Sequence, residues 1–219
     1  MRCFLGRLEL GVHQIPFLEF SPTTACKAIT NPNFQFVTVT HWISSRTDDS
    51  GPSMHARKDK LILVAGATGY VGGRLVPRLL QTGYRVRCLV RTPTNLQHQL
   101  WRPLVECVQG DVLRPETLPA AMEGVATVYY LVHSMGSGKN FEEQDLAAAR
   151  QCAKAAKVQG VQRIIYLGGL GDPAAKLSAH LRSRQETGNA LREAGVPVTE
   201  FRAAVVIGSG SLSFELIRG

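Results

Sequence analysis

The stretch that decides the fold is ILVAGATGYVGGRLVPRLL, residues 62–80, in which an apolar run ends at three glycines spaced three apart. The apolar run is typical of a buried strand, and the segment after the glycines has the spacing of a helix. Gly66 permits a tight turn, Gly69 lets a diphosphate approach the backbone, and Gly72 lets the helix lie close to the sheet. The motif predicts a dinucleotide-binding turn, with the free N–H groups of the helix facing the diphosphate. The alternative is a plain glycine-rich turn between a strand and a helix.

From residue 61 onward, apolar runs rich in Val, Ile and Leu alternate with helix-like segments. This alternation predicts an α/β fold, a doubly wound parallel sheet of the Rossmann type with helices on both faces. Strands are predicted at Leu61–Ala65, Arg85–Val90, Val105–Gln109, Thr127–Val132, Arg163–Leu167 and Val198–Val206. Helices are predicted at Val71–Thr82, Glu116–Met122, Glu142–Gln159 and Ser178–Ala194. Pro77 is expected to remove one hydrogen bond from the first helix and to kink it.

Residues 1–53 differ in character from residues 54–219. They show no sustained helical period and end in turn-forming residues, so we expect a poorly ordered N-terminal extension there. Residues 54–219 are expected to form the domain that carries the glycine motif, and Met54 would be a natural start for it. The extension carries four acidic groups, which makes it a weak match to a transit peptide.

The composition limits the classes of function. No apolar run reaches the roughly 18 residues that a membrane-spanning helix requires. The five cysteines form no CxxC pair, which predicts reduced, packed thiols rather than a disulfide framework or a zinc site. We therefore expect no metal site and a reducing compartment, the cytoplasm, with an organelle as the alternative.

The net charge of +8 lies wholly after residue 49. Most of the Lys and Arg residues stand singly on helix-like faces, which favours a solvated surface. No basic patch interleaved with aromatic residues is present, so direct nucleic-acid binding is not expected.

The end of the second predicted strand indicates which dinucleotide binds. An NAD-type site needs an Asp or Glu about 20 residues after the glycines, to accept hydrogen bonds from the ribose. Here the strand ends at Arg91, and Glu106 is the only acidic residue between Gly66 and Asp111. A guanidinium can hold a 2′-phosphate with two parallel hydrogen bonds. The sequence therefore predicts NADP(H) over NAD(H), with a plain surface arginine as the alternative.

Asp111 and Val112 follow the third predicted strand. In one interpretation they place a carboxylate beside the adenine amine and an apolar side chain against its ring. In the other, Asp111 caps the helix that opens near Pro115. The sequence leaves both open.

Taken in order, these stretches resemble the atypical NAD(P)H-binding, NmrA-like branch of the short-chain dehydrogenase/reductase superfamily. The resemblance extends from Leu61 to the C-terminus and is carried by GATGYVGGRLV, RVRCLVRTP, VQGDVLRPETL, VYYLVHSM, VQRIIYLGGLGD and HLRSRQETGNALREAGVPVTEFRAAVVIGSGSLSFE. It implies that the cofactor contacts Gly66, Thr68, Gly69, Tyr70, Val71, Gly72, Arg91, Asp111 and Val112. It also implies that the end of the fourth strand, Leu131, Val132 and His133, lies along the nicotinamide ribose.

The sequence departs from the superfamily at the positions that carry out proton transfer. Triad-bearing members have a Ser after the fifth strand and a Tyr-x-x-x-Lys on the next helix, where the lysine lowers the pKa of the tyrosine. Here Gly168 and Gly169 stand at the serine position, and His180 and Arg184 stand where Tyr and Lys would be. The standard Ser/Tyr/Lys triad is therefore absent.

Three other groups are candidate proton donors: His180, His133 and Ser134. Arg184 is expected to push His180 toward its neutral form, and the alternative for His180 is a helix-face histidine near the cofactor. Extended members of the superfamily continue past the sixth strand into a lobe that shapes the substrate pocket. This sequence stops at Gly219, so we expect that C-terminal lobe to be truncated.

Two functions fit these residues. The first is an NADPH-dependent oxidoreductase with a non-standard active site, acting on an unknown carbonyl or quinone-like acceptor. The second is a non-catalytic dinucleotide-binding sensor or accessory subunit that binds a protein partner. Oxidation of NADPH by an acceptor would distinguish them.

Overall fold

The computed structural model describes residues 59–133, 141–171, 178–204, 206, 208, 210 and 211. Within these ranges six strands form one parallel sheet in the order β3-β2-β1-β4-β5-β6. This is the strand order of the dinucleotide-binding doubly wound fold, as predicted. The strands are β1 (Leu61–Ala65), β2 (Arg85–Val90), β3 (Glu106–Gln109), β4 (Val125–Tyr130), β5 (Arg163–Gly169) and β6 (Val198–Ala203). The predictions for residues 1–53 and for Met54 lie outside the described residues.

Four α-helices lie between the strands: α1 (Tyr70–Gln81), α2 (Leu118–Met122), α3 (Phe141–Val158) and α4 (Ala179–Arg192). Short 3-10 turns cover Pro93–Leu96, Arg102–Leu104 and Pro115–Thr117. Pro77 lies inside α1 as the sequence predicts. None of the helices in the described part of the chain is long and apolar enough to cross a membrane.

Two predicted strands need correction. The fourth spans Val125–Tyr130 rather than Thr127–Val132, and Gly124 at φ +70° turns the chain directly into its start. The sixth strand ends at Ala203 rather than Val206, because its partner strand runs out where Gly169 pairs with Ala203. The remaining predicted ends differ by a few residues at most, mainly where a 3-10 turn replaces the first turn of α2.

The core has two layers, one on each face of the sheet. All five residues of β1 are buried, and alternate ones face opposite sides, so β1 reads as a continuous apolar run. One layer packs β1 against α1 and contains Ile62 and Val64. The other packs β1 against α2, α3 and α4 and contains Leu61 and Leu63. Helices therefore cover both faces, as predicted.

The described cysteines are free thiols. Cys88 is fully buried in the layer on the α1 side, and Cys152 is fully buried in the opposite layer. Burial raises the pKa of Cys152 to about 12, and burial together with the neighbouring Cys107 does the same for Cys88. Cys107 is partly buried and pairs in register with Cys88. The described cysteines are thus packed thiols, as the spacing predicts.

Candidate functional site

An open cleft with a volume of about 420 Å³ lies at the carboxyl ends of β1, β2, β3 and β4. In a parallel sheet these ends meet at one edge, and a crevice opens between β1 and β4, where the strand order reverses. Most of the predicted cofactor residues line this cleft: Gly66, Thr68, Gly69, Arg91, Asp111, Val112, Leu131, Val132 and His133. The fold therefore brings together residues that are up to 67 positions apart in sequence, from Gly66 to His133.

The glycine turn leaves no room for side chains at two of its three glycines. Gly66 has a φ of +99°, and a Cβ there would lie 2.8 Å from the Leu131 carbonyl oxygen. A Cβ on Gly72 would overlap the Gly66 carbonyl oxygen. The amide of Gly69 donates to that same carbonyl at 3.1 Å and closes the turn. This geometry brings the start of α1 against the end of β1.

The first turn of α1 can receive an anion. Gly69 is the N-cap residue of α1 and forms no side-chain cap, so a side chain does not occupy the N–H groups of that turn. A helix N-terminus of this kind favours a phosphate because its N–H groups and its dipole both face the ligand. The residues present therefore fit the diphosphate of a dinucleotide.

Three predicted cofactor residues, Tyr70, Val71 and Gly72, lie in the first turn of α1 and do not line the cleft. The Tyr70 ring lies 3.7 Å from the guanidinium carbon of Arg74 and stacks beneath it. The Tyr70 hydroxyl lies close to the backbone of Gly208. Contacts from these three residues to the cofactor stay predictions.

Arg91 is exposed at the end of β2, where the cleft adjoins a smaller depression of about 370 Å³. A second exposed arginine, Arg114, lines the same depression. The side chain of Gln109 donates to the Arg91 carbonyl at 3.2 Å and supports the strand end. Two arginine residues therefore line one small depression at this end of the cleft.

Glu106 lies at the amino end of β3, whereas the cleft lies at the carboxyl ends of the strands. Its carboxylate accepts hydrogen bonds from Arg85 at 2.7 Å and from Arg87 at 2.9 Å. Hydrogen bonds from Arg87 and Arg85 hold the pKa of Glu106 below its usual value. The only acidic residue between Gly66 and Asp111 therefore pairs two strands and does not approach Arg91.

The Asp111 side chain closes a turn ahead of the helix rather than capping it. Its Oδ1 accepts from the backbone amide of Leu113 at 3.0 Å. The backbone amide of Asp111 donates to Thr117 Oγ1 at 3.1 Å. The 3-10 turn that follows begins after Arg114 without a side-chain cap. The helix-cap interpretation is therefore wrong, and contact between Asp111 and adenine stays a prediction.

At the other end of the cleft, His133 and Asp145 form a pair. His133 Nδ1 lies 3.1 Å from Asp145 Oδ2, and the two side chains are only 13% and 6% exposed. Ser183 Oγ donates to the same carboxylate oxygen at 3.5 Å, and the His180 ring meets His133 edge-on with ring centroids 4.8 Å apart. Within the described residues no group of three or more His, Cys, Asp or Glu side chains could hold a metal ion.

Neighbouring side chains occupy the space that a serine would need at the positions of the missing triad. A Cβ on Gly168 would lie 2.5 Å from Glu200 Oε1, and one on Gly169 would lie 2.9 Å from Leu181 Cδ2. A serine therefore does not fit at either position without displacing these neighbours. Arg184, at the lysine position, donates from Nη2 to the Leu167 carbonyl at 2.6 Å.

His180, at the tyrosine position, is exposed at the start of α4. Partial burial lowers the pKa of its ring, and the neighbouring His133 and Arg184 lower it further. The predicted effect of Arg184 is thus present, although burial contributes more. Ser134 lies outside the described residues.

Sequence reasoning missed Asp145. Its signal is helical spacing, because it precedes Ala148 and Ala149 by one turn on the buried stripe of α3. An acidic residue on such a stripe needs a partner, since buried charges are rarely left unpaired. His133 is one such partner. Only the three-dimensional fold brings this residue, which follows β4, to Asp145 on α3.

Comparison with known proteins places this site in a family. A sequence model described as NAD(P)H-binding matches residues 66–205, from the glycine turn to beyond β6. The chain belongs to the NAD(P)H-binding family. Solved members of the atypical, NmrA-like group of short-chain dehydrogenases/reductases share its fold. One is the Citrobacter sp. triphenylmethane reductase complexed with NADP(H), with a TM-score of 0.56 and 26% identity over 66% of this chain and 49% of that one.

Curated relatives of this NAD(P)H-binding chain differ in their stated roles. Ceramide reductase of Caulobacter vibrioides is 33% identical over 68% of this chain and 47% of its own length. Photosystem II assembly factor Ycf39 of Cyanophora paradoxa is 29% identical over 64% of this chain and 44% of its own length. The chain thus spans less than half the length of these relatives.

Proposed function

We propose that this chain is the NADP(H)-binding part of an NADPH-dependent oxidoreductase with a non-standard active site, acting on a carbonyl or quinone-like acceptor. The observation that carries this is the charge at the β2 end of the cleft. Arg91 and Arg114 border the small depression there, whereas Glu106 is engaged with Arg85 and Arg87 at the amino end of β3. A 2′-phosphate gains from two arginines, and the carboxylate that lines the same depression, Asp111, has its Oδ1 engaged by the Leu113 amide.

Each region of the cleft has its part in the proposed function. The Gly66 turn and the first turn of α1 bind the diphosphate, and Arg91 binds the 2′-phosphate. Asp111 and Val112 contact adenine, and Leu131, Val132 and His133 lie along the nicotinamide ribose. When bound, NADPH supplies a hydride, and the protein orients it. The names of the related ceramide reductase and triphenylmethane reductase support reduction as the reaction class.

The test is titration of the chain with NADPH and with NADH, followed by nicotinamide fluorescence. We expect NADPH to bind more tightly, and Arg91→Asp to weaken NADPH binding by about 10- to 100-fold, because charged hydrogen bonds contribute roughly 1.5–3 kcal/mol. Arg163→Asp is the matched control, since Arg163 is an exposed arginine at the amino end of β5, away from the cleft. Equal affinities for the two cofactors, or an Arg91→Asp variant with unchanged affinity, would refute the preference for NADP(H).

A second function, a non-catalytic dinucleotide-binding sensor or accessory subunit with a protein partner, is favoured by the triad positions. A serine at Gly168 or Gly169 would have to displace the Glu200 or Leu181 side chain, and the guanidinium of Arg184 is engaged by a backbone carbonyl. The name of the related photosystem II assembly factor supports such a role. Incubation with NADPH and either menadione or malachite green separates the two functions, because only the oxidoreductase consumes NADPH.

The proposal includes a setting for the protein. The free, packed thiols fit a reducing compartment, and we place the chain in the cytoplasm, with an organelle as the alternative. Its partners are the dinucleotide and either a small-molecule acceptor or a protein, and no nucleic acid. Nuclease treatment of the purified protein, which should leave NADPH binding unchanged, checks the last point.

A further inference from the structure

A buried imidazole–carboxylate pair lies at the nicotinamide end of the proposed cofactor site. His133 follows the end of β4, Asp145 lies one turn into α3, and both line the cleft. Their side chains are 13% and 6% exposed, and the Nδ1–Oδ2 distance is 3.1 Å. A carboxylate this deeply buried is strongly destabilising unless charge-assisted hydrogen bonds compensate it. His133 Nδ1 and Ser183 Oγ both supply hydrogen-bonding contacts to it.

The carboxylate fixes which ring nitrogen of His133 carries the proton. An ionised carboxylate only accepts hydrogen bonds, so Nδ1 must be the donor in this pair. The other ring nitrogen, Nε2, is buried and has no hydrogen-bond partner among the described residues. Leaving such a nitrogen unsatisfied is destabilising. A polar atom of a bound ligand would satisfy it.

Charged and titratable groups face His133 from two helices. Asp145 on α3 approaches His133 Nδ1 at 3.1 Å, and His180 on α4 meets the ring with centroids 4.8 Å apart. Desolvation, His133 and Arg184 lower the pKa of His180 and Asp145 raises it, with a net lowering. Tyr130 and Tyr166, buried at the strand side, do not titrate near neutral pH because burial raises the pKa of each hydroxyl.

We propose that His133 is the proton donor of this site and that Asp145 is its positioning residue, together replacing the absent Tyr-x-x-x-Lys. The proposal rests on the proposed oxidoreductase function. During reduction of a carbonyl, the carbon gains a hydride with both its electrons from NADPH, and the π electrons move to oxygen. That oxygen takes the Nε2 proton of the doubly protonated His133. The ring is left neutral, with its Nδ1–H still on Asp145, and regains a proton from water.

The first experiment observes the ring directly in the full chain, by ¹⁵N NMR of labelled histidine across a pH titration. In the unmodified protein we expect neutral His133 to carry its proton on Nδ1, and NADPH to shift the Nε2 signal. Exposed His98 serves as the internal reference. Asp145→Asn replaces an obligate acceptor with a group that can donate, so the proton should move to Nε2. Glu143→Gln, at an exposed position of the same helix, should leave the ring unchanged.

The second experiment separates NADPH binding from reduction of menadione, a quinone whose oxygen must take up a proton. We expect His133→Gln and Asp145→Asn to lower kcat about 100-fold or more, the range for loss of a general acid, while the NADPH dissociation constant changes less than about threefold. The rate should fall as pH rises, because His133 donates a proton only when both ring nitrogens are protonated. Asp145→Asn should change this pH profile, because a carboxylate no longer faces the ring. Asp145→Glu should recover part of the rate.

The outcomes distinguish failure of the proposal from failure of the function beneath it. If NADPH does not bind the unmodified chain, both are overturned. If NADPH binds but no acceptor is reduced, the proton-donor role is overturned and the accessory function gains support. If reduction occurs and Asp145→Asn leaves the ring tautomer and the pH profile unchanged, the His133–Asp145 pair is overturned and the oxidoreductase stands. The ¹H–¹⁵N spectrum of each variant confirms that it is folded.

Discussion

At the scale of single residues, two neighbouring glycines in the same helix have different structural roles. Gly72 and Gly73 are consecutive in α1, yet a Cβ on Gly72 would overlap the Gly66 carbonyl oxygen, and one on Gly73 would lie 3.6 Å from the nearest atom, the Ala67 carbonyl oxygen. Glycine is needed at position 72 because the helix and the turn approach each other closely there. Position 73 holds a helical glycine with space for a methyl group.

We therefore predict opposite effects for two alanine substitutions. Gly72→Ala should lower the free energy of unfolding by about 1–3 kcal/mol, because the helix must shift away from the turn to admit the methyl group. Gly73→Ala should raise it by about 0.4–1 kcal/mol, because alanine has less conformational entropy to lose and a higher helix propensity. Urea denaturation of the matched pair measures both. A destabilised Gly73→Ala would show that the helix, and not its contact with the turn, is sensitive.

The same scale shows what sequence reasoning can find in a site. Gly66 and Arg91 were identified because each lies next to a strand end, where local sequence already implies the position. Asp145 was missed because its role depends on His133, which the chain brings to it across a loop. Gly168 and Gly169 were recognised as departures, but only the structure shows that Glu200 and Leu181 fill the space of the missing side chains.

At the scale of secondary-structure elements, strand β6 is held to α4 through one buried carboxylate. Glu200 is 5% exposed and accepts from Arg192 at 2.6 Å and from Arg202 at 3.0 Å. Gly168 on β5 and Gly188 on α4 leave the space it occupies, since a Cβ on either would lie within 3.2 Å of a carboxylate oxygen. Burial alone raises the pKa of Glu200, but the hydrogen bonds from Arg192 and Arg202 outweigh it and hold the pKa below its usual value.

This lowered pKa predicts the pH dependence of stability. The folded state binds the Glu200 proton less readily than the unfolded state. The ionised carboxylate therefore contributes to the free energy of unfolding above about pH 4.3, and this contribution is lost as pH falls. Glu200→Gln should lower the free energy of unfolding at neutral pH by about 1–3 kcal/mol, since it removes charge-assisted hydrogen bonds. It should also make the loss of stability between pH 5 and pH 3 shallower. Urea denaturation at several pH values checks this, with Glu186→Gln, at an exposed position on α4, as the control.

Element boundaries mark where sequence patterns stop being informative. The alternation of strands and helices predicted every strand of the described sheet, and the signal is clearest at β1, which is buried on both faces and is a continuous apolar run. The end of β6 was placed too late, because Val206 continues the apolar pattern after β5 no longer offers a hydrogen-bonding partner. Periodicity reports burial, whereas a strand ends where its neighbour ends.

At the scale of the whole molecule, the cleft is lined by residues at the ends of four strands and on one helix. A bound cofactor would therefore contact both halves of the sheet. A ligand that binds only the folded state stabilises it by mass action. We predict that NADPH at about 100 times its dissociation constant raises the free energy of unfolding by about 2.7 kcal/mol. Thermal unfolding with equal concentrations of NADPH and NADH is the measurement, and NADPH should give the larger increase in Tm. In the Arg91→Asp variant, the advantage of NADPH should disappear.

Two of the described thiols are fully buried and lie on opposite sides of the sheet, Cys88 beneath α1 and Cys152 on the α3 and α4 side. A thiol with a pKa near 12 stays protonated and shielded, so a maleimide or disulfide reagent can reach it only when that layer opens. The rate at which each of these thiols is labelled therefore reports how often the layer around it opens. Comparing the labelling rates of these two sulfurs would tell whether the layers separate together or in sequence, without adding any probe to the chain.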